Sequence, residues 1–164
     1  MTAQEGVKMG ALDQLLNAAG SWRATYKLRD PGNAFSGDSD STAHVAAVLG
    51  GRFVRIDYTW SDKGTPQEGS ILAGWEKSSG AVTMVWIDSW HNSDRIMVLS
   101  GVVSDDGTLD ARGSYTAPPG PDWGWRTQLF ATEDVLSMVM FNVSPEGRED
   151  LAVDAQYKRN GPRA

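Results

Sequence analysis

The spacing of apolar positions changes once along this chain. Between Met9 and Ala19, Leu12, Leu15, Leu16 and Ala19 recur at helical spacing and Gly20 supplies a stop, which predicts one short amphipathic helix. From Gly20 onward the sequence breaks into short runs rich in Val, Ile, Thr, Tyr and Trp, separated by clusters of Gly, Asp, Asn, Ser or Pro. These runs predict about ten strands. They are Ser21–Leu28, Thr42–Leu49, Arg52–Trp60, Glu68–Trp75, Ala81–Trp90, Arg95–Val103, Thr108–Tyr115, Gly124–Ala131, Val135–Val143 and Asp150–Arg159.

Several of the connections are hairpin signals: Gly50-Gly51, Lys77-Ser78-Ser79-Gly80 and Asp105-Asp106-Gly107. After Gly20 no linking segment has the apolar period of a crossover helix, so neighbouring strands are expected to run antiparallel. An open meander of that size would leave edges unpaired and one apolar face wet. The expected fold is therefore all-β: an antiparallel up-and-down barrel with one short N-terminal helix. Two loops stand out, Arg29 to Ser41 as a candidate mobile flap and Ala117 to Asp122 as a stiff polyproline-like entry to the strand that follows.

Period-two sorting divides each run into faces. In Arg52–Trp60, Val54, Ile56, Tyr58 and Trp60 share an apolar face, whereas Phe53, Arg55, Asp57 and Thr59 make a mixed one. Ala81–Trp90 and Val135–Val143 are apolar on both faces, which predicts a cover on the outside, with the helix as the obvious candidate, or a cavity lined by aromatics and methionines.

Size and composition narrow the picture. A chain of 164 residues and 17.8 kDa is expected to form one domain, residues 1–164, with residues 1–8 flexible and 160–164 a tail. The absence of cysteine rules out disulfides, thiol catalysis and Cys-ligated metals, and fits a reducing compartment. A net charge of −6 with mixed signs argues against nucleic acid as partner. The first residues carry neither a basic start nor an apolar stretch, and nowhere do about 18 apolar residues run together, so a cytoplasmic protein without a membrane span is expected.

Chemistry concentrates in Trp86-Ile87-Asp88-Ser89-Trp90-His91. Asp88 shares a face with Trp86 and Trp90, and a carboxylate between two indoles would be desolvated, its pKa raised toward acid–base work. The competing reading makes it a structural carboxylate at the barrel rim, paired with Arg126 or a backbone amide. His91, at the strand end, could relay protons into the barrel mouth or stand as an ordinary loop histidine. His44, in the apolar run Ala43–Val48, reads as a partly buried structural histidine. A metal site would need His44, His91 and a carboxylate from separate strands, and no metal or other cofactor is expected.

Trp123-Gly124-Trp125-Arg126 sets two indoles on one face and Arg126 on the other. An inward Arg126 could hold a carboxylate or enolate; otherwise it stacks on an aromatic or pairs with Asp57 or Asp88. Arg55 and Asp57 form either an internal ion pair or part of the solvent side. Neither a nucleophile elbow nor a phosphate-binding glycine loop occurs.

Gly20-Ser21-Trp22 opening the first strand, with Arg159 closing the last, is similar to the Gly-x-Trp and terminal Arg pairing of lipocalin-like (calycin) barrels. In that resemblance the Trp packs beneath the barrel beside the helix and the Arg covers it. Leu49-Gly50-Gly51-Arg52-Phe53, Gly74-Trp75-Glu76, Val85-Trp86-Ile87-Asp88-Ser89 and Pro145-Glu146-Gly147 resemble the bacterial domain-of-unknown-function 1579 family over nearly the whole chain. The resemblance implies a cytosolic calycin-type barrel around a cavity and supplies no catalytic residues. Haem-binding relatives of this barrel class ligate iron with a His on a late strand, and no His follows His91 here.

The leading expectation is a barrel binding a small, largely apolar or aromatic ligand with an anionic or carbonyl group. Trp86, Trp90, Trp123, Trp125, Met138 and Met140 would form its walls, and Arg126, Asp88, Arg55 and Asp57 would orient its polar end. The rival is a cofactor-free isomerase, cyclase or lyase with Asp88 or His91 as acid–base residue and Arg126 as electrostatic stabiliser. A third reading is a solid-cored barrel whose outer tryptophans make a homodimer.

Overall fold

Each of the three hairpin signals in the sequence separates a pair of antiparallel strands in the structure. The computed structural model describes residues 10–32 and 34–161, and Met9 of the expected helix lies outside them. A short helix, α1 (Asp13–Asn17), precedes ten strands: β1 (Gly20–Leu28), β2 (Gly37–Val48), β3 (Phe53–Asp62), β4 (Thr65–Glu76), β5 (Ala81–Asp88), β6 (Met97–Val103), β7 (Leu109–Tyr115), β8 (Trp123–Ala131), β9 (Val135–Val143) and β10 (Glu149–Arg159). Every strand pairs antiparallel with its sequence neighbours, and β1 pairs with β10 to close the barrel. Closure leaves the sheet no free edge. Among the described residues no helix is long and apolar enough to cross a membrane.

The inward faces follow the period of two. Val54, Ile56, Tyr58 and Trp60 of β3 and Val82, Met84, Trp86 and Asp88 of β5 are all buried, as are Leu136, Met138 and Met140 of β9. These side chains, with Leu99, Leu109, Leu129 and Val153, fill much of the barrel.

Helix α1 stoppers one end rather than covering the outer wall. Leu12, Leu15 and Ala18 enter the core, Gln14 donates to the Gly107 carbonyl and accepts from the Ala131 amide, and the Trp22 indole donates to the Ala18 carbonyl at 2.8 Å. Arg159 locks this end. Its guanidinium lies 4.5 Å from the centre of the Trp22 ring and donates to the carbonyls of Asn17, Ala19 and Glu133. The pairing implied by the calycin resemblance is therefore present in full.

Four expectations are corrected. The helix is shorter than Met9–Ala19, because Ala11 and Leu12 form a turn, before which the Gly10 amide donates to Asp13 Oδ2. The strand expected from Thr42 begins at Gly37, so the loop shrinks to residues 29–36. Residues 37–41 are polar yet pair along β1, with Ser39 accepting from the Ser61 amide and Ser41 bonded to the buried Tyr157 hydroxyl. Segment 117–120 closes a turn, the Gly120 amide donating to the Ala117 carbonyl at 3.1 Å, instead of extending as polyproline. The helix does not cover the outer faces of β5 and β9: Ile87 of β5 is 48% exposed, and Val135, Val139 and Phe141 of β9 are half-buried.

Because Arg159 joins α1, β1 and β10, the Arg159→Ala variant is expected to lose about 2–3 kcal/mol in urea unfolding, from its charged hydrogen bonds and the cation–π contact. A loss below about 0.5 kcal/mol would show that the guanidinium does not secure this end.

Candidate functional site

At the end opposite α1 the barrel remains open. The C-terminal ends of β1, β5, β7 and β9 and the N-terminal ends of β6, β8 and β10 surround a cavity of about 950 Å³. Its apolar lining includes Leu28, Phe35, Trp86, Trp90, Met97 and Trp125, with His91 among them. A bulge between Leu151 and Val153 turns Ala152 inward at the rim, where its carbonyl accepts from the Arg29 amide.

The cavity floor is organised by Asp88. Its side chain is fully buried. Oδ2 accepts from the Tyr58 hydroxyl at 2.6 Å and the Trp60 indole at 3.2 Å, and Oδ1 accepts from the amides of Trp90 and His91 at 2.9 Å each. Those two amide bonds end β5 at Asp88, two residues before the end expected at Trp90. The Tyr58 hydroxyl in turn accepts from the Trp86 indole at 2.9 Å, so two strands and a turn converge on one carboxylate.

This arrangement reverses the expected ionisation of Asp88. Burial alone would raise its pKa, but the His91 Nδ1–H that faces it, the His91 backbone amide and the Tyr58 hydroxyl outweigh burial and hold it below the usual carboxylate range. Asp88 is thus a buried anion, unsuited to act as a general acid near neutral pH. Burial and the neighbouring Asp88 charge push the Tyr58 phenol well up, keeping it a hydrogen donor.

Gly69 makes the approach possible. It pairs with Tyr58 on one side and Asp88 on the other, and a Cβ at Gly69 would coincide with the Tyr58 ring and hydroxyl. The absent side chain lets the phenol cross β4 to reach β5.

His91 lies in a box of indoles. Its ring centroid is 5.5 Å from Trp60, 5.5 Å from Trp86, 4.8 Å from Trp90 and 5.4 Å from Trp125. Nδ1 faces Asp88 Oδ1 at 3.2 Å, off the line of a good hydrogen bond, and an anion at that distance selects the tautomer protonated on Nδ1. Nε2 is the nitrogen left for the cavity. Trp125 stacks on Trp86 with centroids 5.0 Å apart, and its indole N–H is buried without a partner. The turn carrying His91 is fixed by Asn92, whose amide donates to the Asp88 carbonyl and whose side chain donates to the Trp86 carbonyl.

Of the residues expected at a site, Asp88, His91, Trp86, Trp90 and Trp125 gather here. Trp123 lies beyond the cavity lining, and Met138 and Met140 are packed in the filled core. Arg126 points out of the barrel. It bonds Asp110 and Glu149 and stacks over Phe141 at 5.6 Å, so its partners are neither Asp57 nor Asp88. Asp110 holds the Arg126 pKa above its ordinary value, and Arg126 depresses that of Asp110.

Arg55 and Asp57 pair with each other at 3.0 Å on the outer wall, where Ser70 also donates to Asp57. His44 is exposed on that wall and so does not share a site with His91. Among the described residues no group of three or more His, Asp or Glu side chains is placed to hold a metal ion.

Sequence reasoning missed Tyr58 and Trp60 as donors to Asp88 and Gly69 as the gap between them. The inward alternation of Tyr58 and Trp60 was visible; the register that brings them to Asp88 was not.

The family model described as "Protein of unknown function (DUF1579)" matches residues 11–159. The chain belongs to the DUF1579 family. Among curated proteins, nothing matches this DUF1579 member. Among solved structures, it is similar to Rv2717c from M. tuberculosis, with a TM-score of 0.64 and 17% identity over 93% of this chain and 99% of that one. It is also similar to the S-type phycobiliprotein lyase CPES from Guillardia theta, with a TM-score of 0.59 and 14% identity over 95% of this chain and 96% of that one. Both likenesses are of fold.

Two variants test the floor of this DUF1579 barrel. Gly69→Ala is expected to cost about 3 kcal/mol in urea unfolding, through overpacking against Tyr58; a neutral result would show that the tyrosine is not held as described. Asp88→Asn addresses the charge. Because the folded pKa of Asp88 lies below its unfolded value of about 4, its ionisation stabilises the fold above that pH and ceases to do so as pH falls through the folded value. The variant should be less stable than the parent at pH 7, with the gap narrowing below pH of about 4. A gap independent of pH would refute the assignment.

Proposed function

We propose that the protein binds a small, planar, largely apolar or aromatic ligand in the cavity opposite α1. The observation that carries this reading is the cavity floor, where stacked indoles surround a histidine and an indole N–H stays unpaired. Ligand pockets commonly combine such apolar walls with a few placed polar groups, and an unpaired buried donor costs about 1–3 kcal/mol until an acceptor arrives.

The ligand's polar group is a neutral one rather than an anion. Arg126 is on the outer wall, and the cavity rim carries Asp30, Asp94, Asp122 and Asp150 against Arg29 and Arg95. Arg29 is further engaged by Asp38 at 2.7 Å and Asp150 by Arg148 at 3.0 Å, which leaves Asp30, Asp94 and Asp122 against Arg95. An anion would meet a rim of largely its own sign.

A second reading, a cofactor-free isomerase or lyase, has one supporting observation, the buried Asp88 beside His91. In it His91 would be the acid–base residue and Asp88 the positioning residue. The name phycobiliprotein lyase carried by a barrel of similar fold is compatible with either reading.

Indole N–H resonances locate binding directly. Titration with 2-naphthol is expected to shift the Trp86, Trp90 and Trp125 signals saturably and to leave that of Trp22, at the stoppered end, in place. Absence of saturable shifts, or shifts centred on Trp22, would refute the cavity as a ligand site.

A further inference from the structure

Resting on that reading of the cavity, we infer that it selects ligands bearing a hydroxyl on an aromatic ring, the phenol class, through His91 Nε2 as acceptor and Trp125 Nε1–H as donor. The walls supply the aromatic preference. The two nitrogens supply the choice of functional group.

The acceptor is set by Asp88. With Nδ1 turned to the buried carboxylate at 3.2 Å, the neutral ring carries its one proton on Nδ1, and Nε2 keeps its lone pair. His91 cannot turn this nitrogen elsewhere easily, since four indoles crowd its ring and its side chain is 7% exposed. The backbone of His91 is held as well, its amide donating to the same carboxylate.

The donor is Trp125. Its residue is 6% exposed, its indole N–H has no partner, and its ring lies edge-to-face with His91 at a centroid distance of 5.4 Å. The stack on Trp86 fixes the plane of the indole. The contrast with its neighbours is informative. The Trp60 indole donates to Asp88, the Trp86 indole to Tyr58 and the Trp22 indole to Ala18, which leaves Trp125 among these four without an acceptor.

A hydroxyl is the small neutral group that donates and accepts through a single oxygen. It can give its proton to Nε2 while its oxygen accepts from the indole N–H of the adjoining ring. An ether accepts without donating, a hydrocarbon does neither, and a carboxylate would bring a charge toward buried Asp88. The acidic rim disfavours that charge a second time.

The test compares 2-naphthol, 2-methoxynaphthalene, naphthalene and 2-naphthoate by isothermal titration calorimetry on the full chain at pH 7.5. The expected order places 2-naphthol about tenfold tighter than 2-methoxynaphthalene, the worth of one well-made hydrogen bond in a covered site. Naphthalene and 2-naphthoate should be weaker still.

His91→Phe keeps an aromatic ring and removes the acceptor; it should erase the preference for naphthol over the methyl ether while both continue to bind. Trp125→Phe should narrow the gap between the methyl ether and naphthalene, a second readout that stands if His91→Phe fails to fold. Equal affinity for 2-naphthol and 2-methoxynaphthalene in the parent would overturn the hydroxyl assignment and leave the aromatic cavity intact. No measurable binding of any of the four would overturn both.

Discussion

One buried carboxylate organises the open end of this barrel. An anion removed from water is tolerated when donors replace its hydration, and Asp88 collects four: a phenol, an indole and two backbone amides. Each donor comes with a structural consequence. Tyr58 and Trp60 tie β3 to the end of β5 across β4, and the two amides turn the chain out of β5 so that His91 folds back over the floor. The glycine between them is part of the same constraint, because the phenol occupies the space a side chain at 69 would need.

The two ends of the barrel are closed by different means. At the α1 end a guanidinium caps the Trp22 indole and binds backbone carbonyls, so its polar atoms are matched and the core is tight. At the other end the indoles around His91 meet a cavity, and polar atoms at Trp125 and His91 are left incompletely paired. Proteins satisfy nearly all buried polar groups; of the four exceptions among the described residues, those at Tyr26 and Thr127 lie inside the barrel, and those at Trp125 and His91 sit beside the cavity, which connects the packing of this end to its proposed use.

Most of the architecture was legible because strand alternation and turn residues carry it: Val54, Ile56, Tyr58 and Trp60 point inward as their period demands, and Gly50-Gly51 and Asp105–Gly107 separate paired strands. The first part of β2 was not legible, since Asp38 to Ser41 lack apolar alternation and are held through pairing with β1 and the hydroxyls of Ser39 and Ser41. Asp88, Trp86, Trp90, Trp125 and His91 could be chosen from sequence because they cluster at strand ends. The sign of the Asp88 shift could not be, because it depends on Tyr58 and Trp60, about 30 residues earlier. Arg126 illustrates the remaining gap: its face follows from that of Trp125, but its partners Asp110 and Glu149 are set by strand register.

The most direct measurement of the central claim is the side-chain carboxyl carbon shift of Asp88 by NMR, followed from pH 7 downward while the protein remains folded. The account predicts that Asp88 stays ionised below pH 4, after exposed aspartates have begun to take up protons. Protonation of Asp88 above pH 5 in the folded protein would contradict it, and with it the His91 tautomer on which the proposed recognition rests.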